Sequence, residues 1–193
     1  TEGDWNERVA NAVRAYDEWM PTRVADPTKI YRSFTFGDLV QLHMLDIKRP
    51  IVWPQEGEEP SMLGNEQAAW LDEQIRDSSA KWMILGQQQT FATNQGAWDQ
   101  HPESRLRIRD AVDGSNVDNV VVLTGDIHQA RCADITENPE AYDPDTGEGS
   151  WGVEMVCSSI SSPGLSSNIS DKPNIHWTNG LMRGYLVLDI TPE

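Results

Sequence analysis

The sequence predicts an α/β fold in which parallel strands are connected by helices. Residues 120–123 are four apolar residues, three of them β-branched, which is typical of a strand buried on both faces. Residues 81–86 form a second apolar segment of the same kind. Between the two lies an amphipathic helical pattern that includes Leu106, Ile108 and Ala111. The order strand, helix, strand predicts two parallel strands joined by a right-handed crossover.

The remaining elements follow from the same periodicities. Residues 4–7 resemble a capping box, and apolar residues then recur at helical spacing until Pro21, which predicts a first helix that faces the core. Residues 30–36 and 39–47 predict a hairpin. Further predicted elements are a helix over 65–79 and strands over 151–160 and 183–190. No repeat or internal boundary divides the chain, so residues 1–193 are predicted to form a single domain.

Composition excludes several classes of protein. With 193 residues, of which 38% are apolar, the chain can form a substantial core. Its 15 Lys and Arg against 31 Asp and Glu give a formal charge of -16, which repels phosphate backbones, so no nucleic-acid binding is expected. No apolar run approaches the roughly 20 residues of a transmembrane segment, and the first residues show no signal-peptide pattern. Cys132 and Cys157 lack CxxC spacing, which excludes a metal knuckle and leaves both a disulfide and two free thiols open.

The strongest chemical signal follows the strand at 120–123. Gly125 permits a bend, and if the backbone stays extended beyond it, Asp126 and His128 point to the same side. A carboxylate oxygen and an imidazole nitrogen would then converge where open α/β sheets bind their ligands, which predicts a metal site. The alternative is that Asp126 caps the turn and His128 is a satisfied polar residue. Two ligands do not complete a catalytic metal site, so others must come from elsewhere.

Other polar residues lie near predicted strand ends. Gln87, Gln88 and Gln89 directly follow the strand at 81–86, where three amides could surround an anion or form an ordinary polar loop. His43 lies inside the second hairpin strand, where a core or edge histidine is the expected interpretation.

A series of short motifs keeps its order and spacing over nearly the whole chain. They are Ala15-Tyr16-Asp17-Glu18-Trp19-Met20-Pro21, Phe36-Gly37-Asp38-Leu39, Leu45-Asp46, Met62-Leu63-Gly64-Asn65-Glu66-Gln67, Trp70-Leu71, Lys81-Trp82, Gly86-Gln87-Gln88, Ala97-Trp98-Asp99, Leu123-Thr124-Gly125-Asp126-Ile127-His128, Gly152-Val153-Glu154, Ser161-Ser162-Pro163-Gly164-Leu165, Asn174-Ile175-His176 and Gly184-Tyr185. Together they resemble the C-terminal half of the PhoD-type alkaline phosphatases, a branch of the calcineurin-like metallophosphoesterases.

The resemblance implies a fold, an activity and a set of cofactors. The fold would be part of a four-layer α/β/β/α sandwich with mixed sheets, residues 1–193 forming the C-terminal portion of the catalytic domain. The activity would be metal-dependent hydrolysis of phosphomonoesters and phosphodiesters, with Asp126 and His128 as catalytic metal ligands. The metals would be iron and calcium, with zinc or manganese as alternatives, and the protein would be secreted, periplasmic or extracellular.

The resemblance also has gaps. The family's first half, which brings further metal ligands, would have to be supplied in cis or in trans. The family's Leu-Asp-Thr-Arg stands here as Leu45-Asp46-Ile47-Lys48-Arg49. Candidate substrate-binding residues are Gln87, Gln88, Arg49 and His176. Two alternatives to an enzyme are open: a non-catalytic domain that binds a cation or phosphate, and an acidic interaction module that shares only ancestry with the family.

Overall fold

One mixed β-sheet of seven strands is found in the computed structural model, which describes residues 3–47, 61–92, 97–138, 140–164 and 172–192. The strands are β1 (Arg32–Phe36), β2 (Val40–Met44), β3 (Trp82–Gln87), β4 (Asn119–Thr124), β5 (Ala130–Thr136), β6 (Ser150–Val156) and β7 (Ile175–Asn179). Their order across the sheet is β1-β2-β3-β4-β6-β5-β7.

The strand directions confirm the predicted α/β class. Four adjacent strands run parallel to one another, in the order β2, β3, β4 and β6. β1 pairs antiparallel with β2, as the hairpin prediction requires, and β5 pairs antiparallel with β6 and β7. A second sheet, which a four-layer sandwich requires, is not among the described elements, so that part of the prediction stays a prediction.

The described residues also form three α-helices, which are α1 (Trp5–Trp19), α2 (Gly64–Arg76) and α3 (Pro102–Asp113), and a short 3-10 helix, Ala97–Gln100. The side chain of Asp4 caps α1 by accepting a hydrogen bond from the backbone N–H of Glu7, 3.0 Å away. In the part of the chain that the structure describes, no helix combines the length and the apolar character that crossing a membrane requires.

The two faces of the sheet are covered differently. The closed face, formed by Met83, Leu85, Val120, Val122 and Ile135, packs against apolar residues of α2 and α3 in one large core cluster. The open face, formed by Val40, Leu42, Ile84, Val121, Leu123 and Val153, belongs to a smaller cluster in which Leu42, Leu123 and Val153 are only partly buried. Alternation along each strand explains the division, since successive side chains point to opposite faces.

A groove of about 670 Å³ lies along the open face. One wall is the sheet, including Ile84 and Val121, and the other is the segment over 187–190, which contains Leu188 and Ile190. This segment was predicted to be a strand over 183–190, and that prediction is wrong, because residues 182–190 do not join the described sheet as a strand. Its side chains nevertheless alternate in exposure, as the sequence pattern indicated.

Other expectations also need correction. α1 forms where it was predicted but does not face the core, since no residue of it is buried and Trp5 is 58% exposed. β6 ends at Val156, although the pattern extended to Ile160. β5 and β7 were not predicted, because polar residues interrupt their apolar alternation and both contain register shifts. Both cysteines are free thiols.

Candidate active site

The carboxyl ends of four parallel strands meet at one edge of the sheet. Beyond them lie residues 45–47 after β2, 88–92 after β3, 125–128 after β4 and 157–159 after β6. Open α/β sheets place their ligands outside the carboxyl ends of the strands. This edge therefore contains the segment that the sequence singles out.

The segment after β4 is a tight turn rather than an extended strand. Asp126 has φ of 72° and His128 has φ of 54°, both in the left-handed region. The backbone N–H of Ile127 donates to the carbonyl oxygen of Gly125 at 2.9 Å. The assumption that an extended backbone points Asp126 and His128 to the same side is thus wrong. Asp and His are among the non-glycine residues that tolerate this conformation best, and such strain clusters at functional sites.

His128 is oriented through one ring nitrogen. Its Nδ1 lies 3.0 Å from the carbonyl oxygen of Pro163. Because a carbonyl only accepts, Nδ1 carries the proton in this hydrogen bond, and in the neutral ring Nε2 is the nitrogen with a free lone pair. A histidine that binds a metal typically donates its other N–H to a carbonyl or carboxylate in this way.

Asp126 is exposed and contacts the neighbouring loop. Its Oδ2 accepts a hydrogen bond from Nε2 of Gln89 at 3.1 Å. Gln89 therefore joins the segment after β3 to the turn after β4. The sequence indicated all three consecutive amides as a possible anion site, but only Gln87 and Gln88 were selected as substrate-binding candidates.

Gln87 and Gln88 both bind protein groups. Gln87 is buried, and its Nε2 donates to Oγ1 of Thr124 at 2.6 Å while its Oε1 accepts from the indole N–H of Trp98 at 3.2 Å. The amide of Gln88 donates to the carbonyl of Leu45 at 2.8 Å and accepts from the backbone N–H of Ile47 at 3.0 Å. These contacts hold the ends of β2, β3 and β4 together.

A buried carboxylate lies beneath this edge. Glu154 of β6 is 0% exposed and accepts hydrogen bonds from Phe91, Ala92 and Thr124. Burial raises the pKa of the Glu154 carboxyl, while these hydrogen bonds and the charge of Arg131 oppose the rise. Sequence reasoning did not select Glu154, although an acidic residue inside an otherwise apolar strand was an available signal.

The other candidates lie elsewhere. His176 of β7 places Nε2 3.1 Å from Oδ2 of Asp134, which also accepts a hydrogen bond from the hydroxyl of Tyr142 at 2.6 Å. His176 thus belongs to a cluster with Asp134 and Tyr142. Arg49 lies outside the described residues.

The described residues provide only part of a metal site. Asp126 offers a carboxylate and His128 an oriented imidazole, and both suit a divalent cation. However, the described ranges contain no group of three or more His, Cys, Asp or Glu that could hold a metal ion. The two residues fit the role of partial ligands.

Comparison with known proteins identifies the family. The family model of the PhoD-like phosphatases matches residues 1–193. The chain belongs to the PhoD-like phosphatase family. It is 30% identical over 222 residues to alkaline phosphatase D of Bacillus subtilis (strain 168), a match that covers 96% of this chain and 37% of that protein.

A solved structure of PhoD supports the same assignment. It matches with a TM-score of 0.73 and 27% sequence identity, over 95% of this chain and 42% of the matched chain. The chain therefore spans less than half the length of both relatives. The resemblance drawn from the motifs is confirmed at the level of the family.

Proposed function

We propose that this chain takes part in the metal-dependent hydrolysis of phosphomonoesters and phosphodiesters, with Asp126 and His128 as metal ligands. The observation that carries the proposal is the hydrogen bond from His128 Nδ1 to the Pro163 carbonyl, which leaves Nε2 for a metal. Two further observations support it. Both residues lie on a strained turn at the carboxyl edge of the sheet. The chain also belongs to a phosphatase family.

Each residue has a separate role in this proposal. Asp126 supplies a hard oxygen ligand, and Gln89 restricts its carboxylate through the hydrogen bond to Oδ2. His128 supplies an imidazole nitrogen whose direction is set by Pro163. A bound cation would stabilise the negative charge that develops on the phosphoryl oxygens. Oxygen ligands suit calcium and imidazole suits iron, with zinc and manganese as alternatives.

The site needs ligands beyond the described residues. We infer that they come from the N-terminal half of a PhoD-like catalytic domain, in cis or in trans, and that the protein is secreted, periplasmic or extracellular. Substrate contacts by Gln87, Gln88, Arg49 and His176 stay predictions, and the first two already hold neighbouring strand ends.

Metal content tests the proposal. Asp126→Ala and His128→Ala should each lower metal affinity by more than about tenfold, because each removes a direct ligand. Bound metal per chain is measured by elemental analysis after dialysis against iron, calcium, zinc or manganese. His101→Ala is the matched control, since His101 is at the N-cap of α3 and makes no side-chain capping hydrogen bond. Wild-type metal content in both site variants would exclude the site.

Activity separates an enzyme from a binding domain. The substrates are p-nitrophenyl phosphate and its bis-ester. Hydrolysis should be weak for the chain alone and should rise when the preceding half of a full-length PhoD-like phosphatase is added, and a chelator should abolish it. Metal or phosphate binding without turnover, even with that half present, would favour the non-catalytic alternative. Robust chelator-sensitive turnover by residues 1–193 alone would show that the chain carries the missing ligands itself.

A further inference from the structure

Glu154 is the one acidic residue of β6, and it lies on the closed face. Its register partners are Val122 on β4 and Ala133 on β5, and both are buried in the large core cluster. The side chains of Val153 and Met155, next to it in sequence, point to the opposite face. An apolar residue would avoid the cost of desolvating a carboxylate at this position. The carboxylate therefore has a desolvation cost that its hydrogen bonds must offset.

The carboxylate of Glu154 connects two segments of the site edge. Its Oε1 accepts from the backbone N–H of Phe91 at 2.7 Å and from Oγ1 of Thr124 at 2.6 Å. Its Oε2 accepts from the backbone N–H of Ala92 at 2.9 Å. Phe91 and Ala92 belong to the loop after β3, and Thr124 is the last residue of β4. A single buried group thus fixes the distance between that loop and the strand that carries Asp126.

The connection continues to Asp126 along a second route. Gln87 donates to the same Thr124 hydroxyl at 2.6 Å, and its Oε1 accepts from the backbone N–H of Gln89 at 2.8 Å. The side chain of Gln89 then donates to Asp126. Both the backbone before Asp126 and the partner of its carboxylate are therefore connected to Glu154 by hydrogen bonds.

We propose that Glu154 is a positioning residue for the metal ligand Asp126. It holds the loop after β3 against the end of β4, so that Gln89 and Asp126 keep their separation. Outer groups of this kind typically change metal affinity by about 10- to 100-fold when they are lost. The proposal rests on the function proposed above, because it assumes that Asp126 binds a cation.

Glu154→Gln is the most direct test. It keeps the size of the side chain and one acceptor oxygen but turns the other oxygen into an NH₂ group that faces a backbone N–H. The expected result is an affinity for Mn²⁺ about 10- to 100-fold below that of the wild-type chain. Binding is measured by titration calorimetry and by the paramagnetic signal of free Mn²⁺, and folding is checked by circular dichroism.

A loss of stability alone must be distinguished from a loss of positioning. Ile108→Val, a conservative change in the buried side of α3, provides a destabilised control that leaves the hydrogen bonds of Glu154 in place and should keep the Mn²⁺ affinity. Thr124→Val removes the hydroxyl but leaves the bonds from Phe91 and Ala92, so it should also weaken Mn²⁺ binding. This variant tests the positioning role if Glu154→Gln does not fold.

A double substitution tests the route through Gln89. In a Gln89→Ala background, Glu154→Gln should lower the Mn²⁺ affinity by a smaller factor, because one hydrogen bond on the route to Asp126 is already absent.

The outcomes separate the two proposals. If Asp126→Ala abolishes Mn²⁺ binding while Glu154→Gln and Thr124→Val bind with wild-type affinity, the positioning role is overturned and the metal site stands. An equal loss of affinity in Ile108→Val would overturn it as well, since general destabilisation would then explain the effect. A wild-type chain that takes up no Mn²⁺ even when the N-terminal half of a full-length PhoD-like phosphatase is added would overturn the proposed function, and with it this inference.

Discussion

The closed and open faces of the sheet have the same kind of residues but different surroundings. On the closed face, Leu85 is 1% exposed and Val122 and Ile135 are both 0% exposed, and all three belong to the core cluster that includes apolar residues of α2 and α3. On the open face, Leu123 and Val153 are only partly buried. There the described residues provide only the segment over 187–190, which forms one wall of a groove.

A strand with two apolar faces can have a different cover on each of them. Such a strand indicates that both faces need a cover, but it does not say which part of the protein supplies each one. The helices cover one face of this chain. A second sheet on the open face, as in the four-layer sandwich that the resemblance implies, stays a prediction.

The candidate site depends on the closed face. The side chains that form its hydrogen bonds there, those of Gln87, Thr124 and Glu154, are all buried, so water competes little with these bonds. Asp126 and His128 lie beyond the strand end, one of them exposed. The turn that carries the proposed ligands therefore follows a strand end that buried hydrogen bonds hold in place.

Leucine substitutions on the two faces should differ strongly in their effect on the free energy of unfolding. Leu85→Ala should lower the free energy of unfolding by about 2–5 kcal/mol, because a fully buried side chain leaves a cavity. Leu123→Ala, on the next strand but on the open face, should cost about 1 kcal/mol, because part of that side chain already contacts water. Urea denaturation of both variants measures the difference. Equal losses would mean that the open face is as well covered as the closed one.

The stability of the closed face should also depend on pH through His43. His43 is 0% exposed, its ring meets Trp70 of α2 edge-on, and burial lowers its pKa from 6.5 to about 4. Between these two values the unfolded chain binds more protons than the folded one. The contribution is therefore complete above pH 6.5 and is lost as the pH falls towards 4. The loss approaches roughly 3 kcal/mol at the lower end of this range.

Substitution assigns that pH dependence to one side chain. His43→Leu should flatten the slope of unfolding free energy against pH within the window. Ser33→Ala is the control, since it removes the hydroxyl 2.7 Å from His43 Nδ1 but keeps the histidine. A slope that is unchanged in His43→Leu would contradict the assignment.

Much of the fold was predictable from the sequence, because it depends on local periodicity. The apolar runs and helical spacing gave β3, α3 and β4 as a crossover unit, and the hairpin of β1 and β2 followed from its turn. His43 is a core histidine, as expected. β5 was missed because Arg131 occupies one of its buried positions, and it is buried by contacts that no local pattern reveals.

The site was predictable in its residues and not in its geometry. Asp126 and His128 do lie beyond the end of β4, but no local pattern predicts their left-handed backbone or the hydrogen bond of His128 with Pro163, 35 residues away in sequence. The support from Glu154 is also long-range, because Glu154 lies 63 positions from Phe91 and 62 positions from Ala92 in the sequence. Single-sequence patterns carry local signals and cannot supply such pairings.

A substitution in α1 should change the global stability least. This helix is less covered than α2, as the open face of the sheet is less covered than the closed face. Both helices are amphipathic, but α2 buries Leu71 and Ile75 in the core, whereas α1 has no buried residue. Asp4→Ala removes the N-cap of α1, a change that typically costs a helix about 1 kcal/mol. Because α1 contributes no buried side chain, the loss should appear as faster amide hydrogen exchange within Trp5–Trp19, with a change below about 0.5 kcal/mol in the global free energy of unfolding. A global loss near 1 kcal/mol would instead show that α1 unfolds together with the core, and the apolar stripe of α1 would then have to be covered in solution.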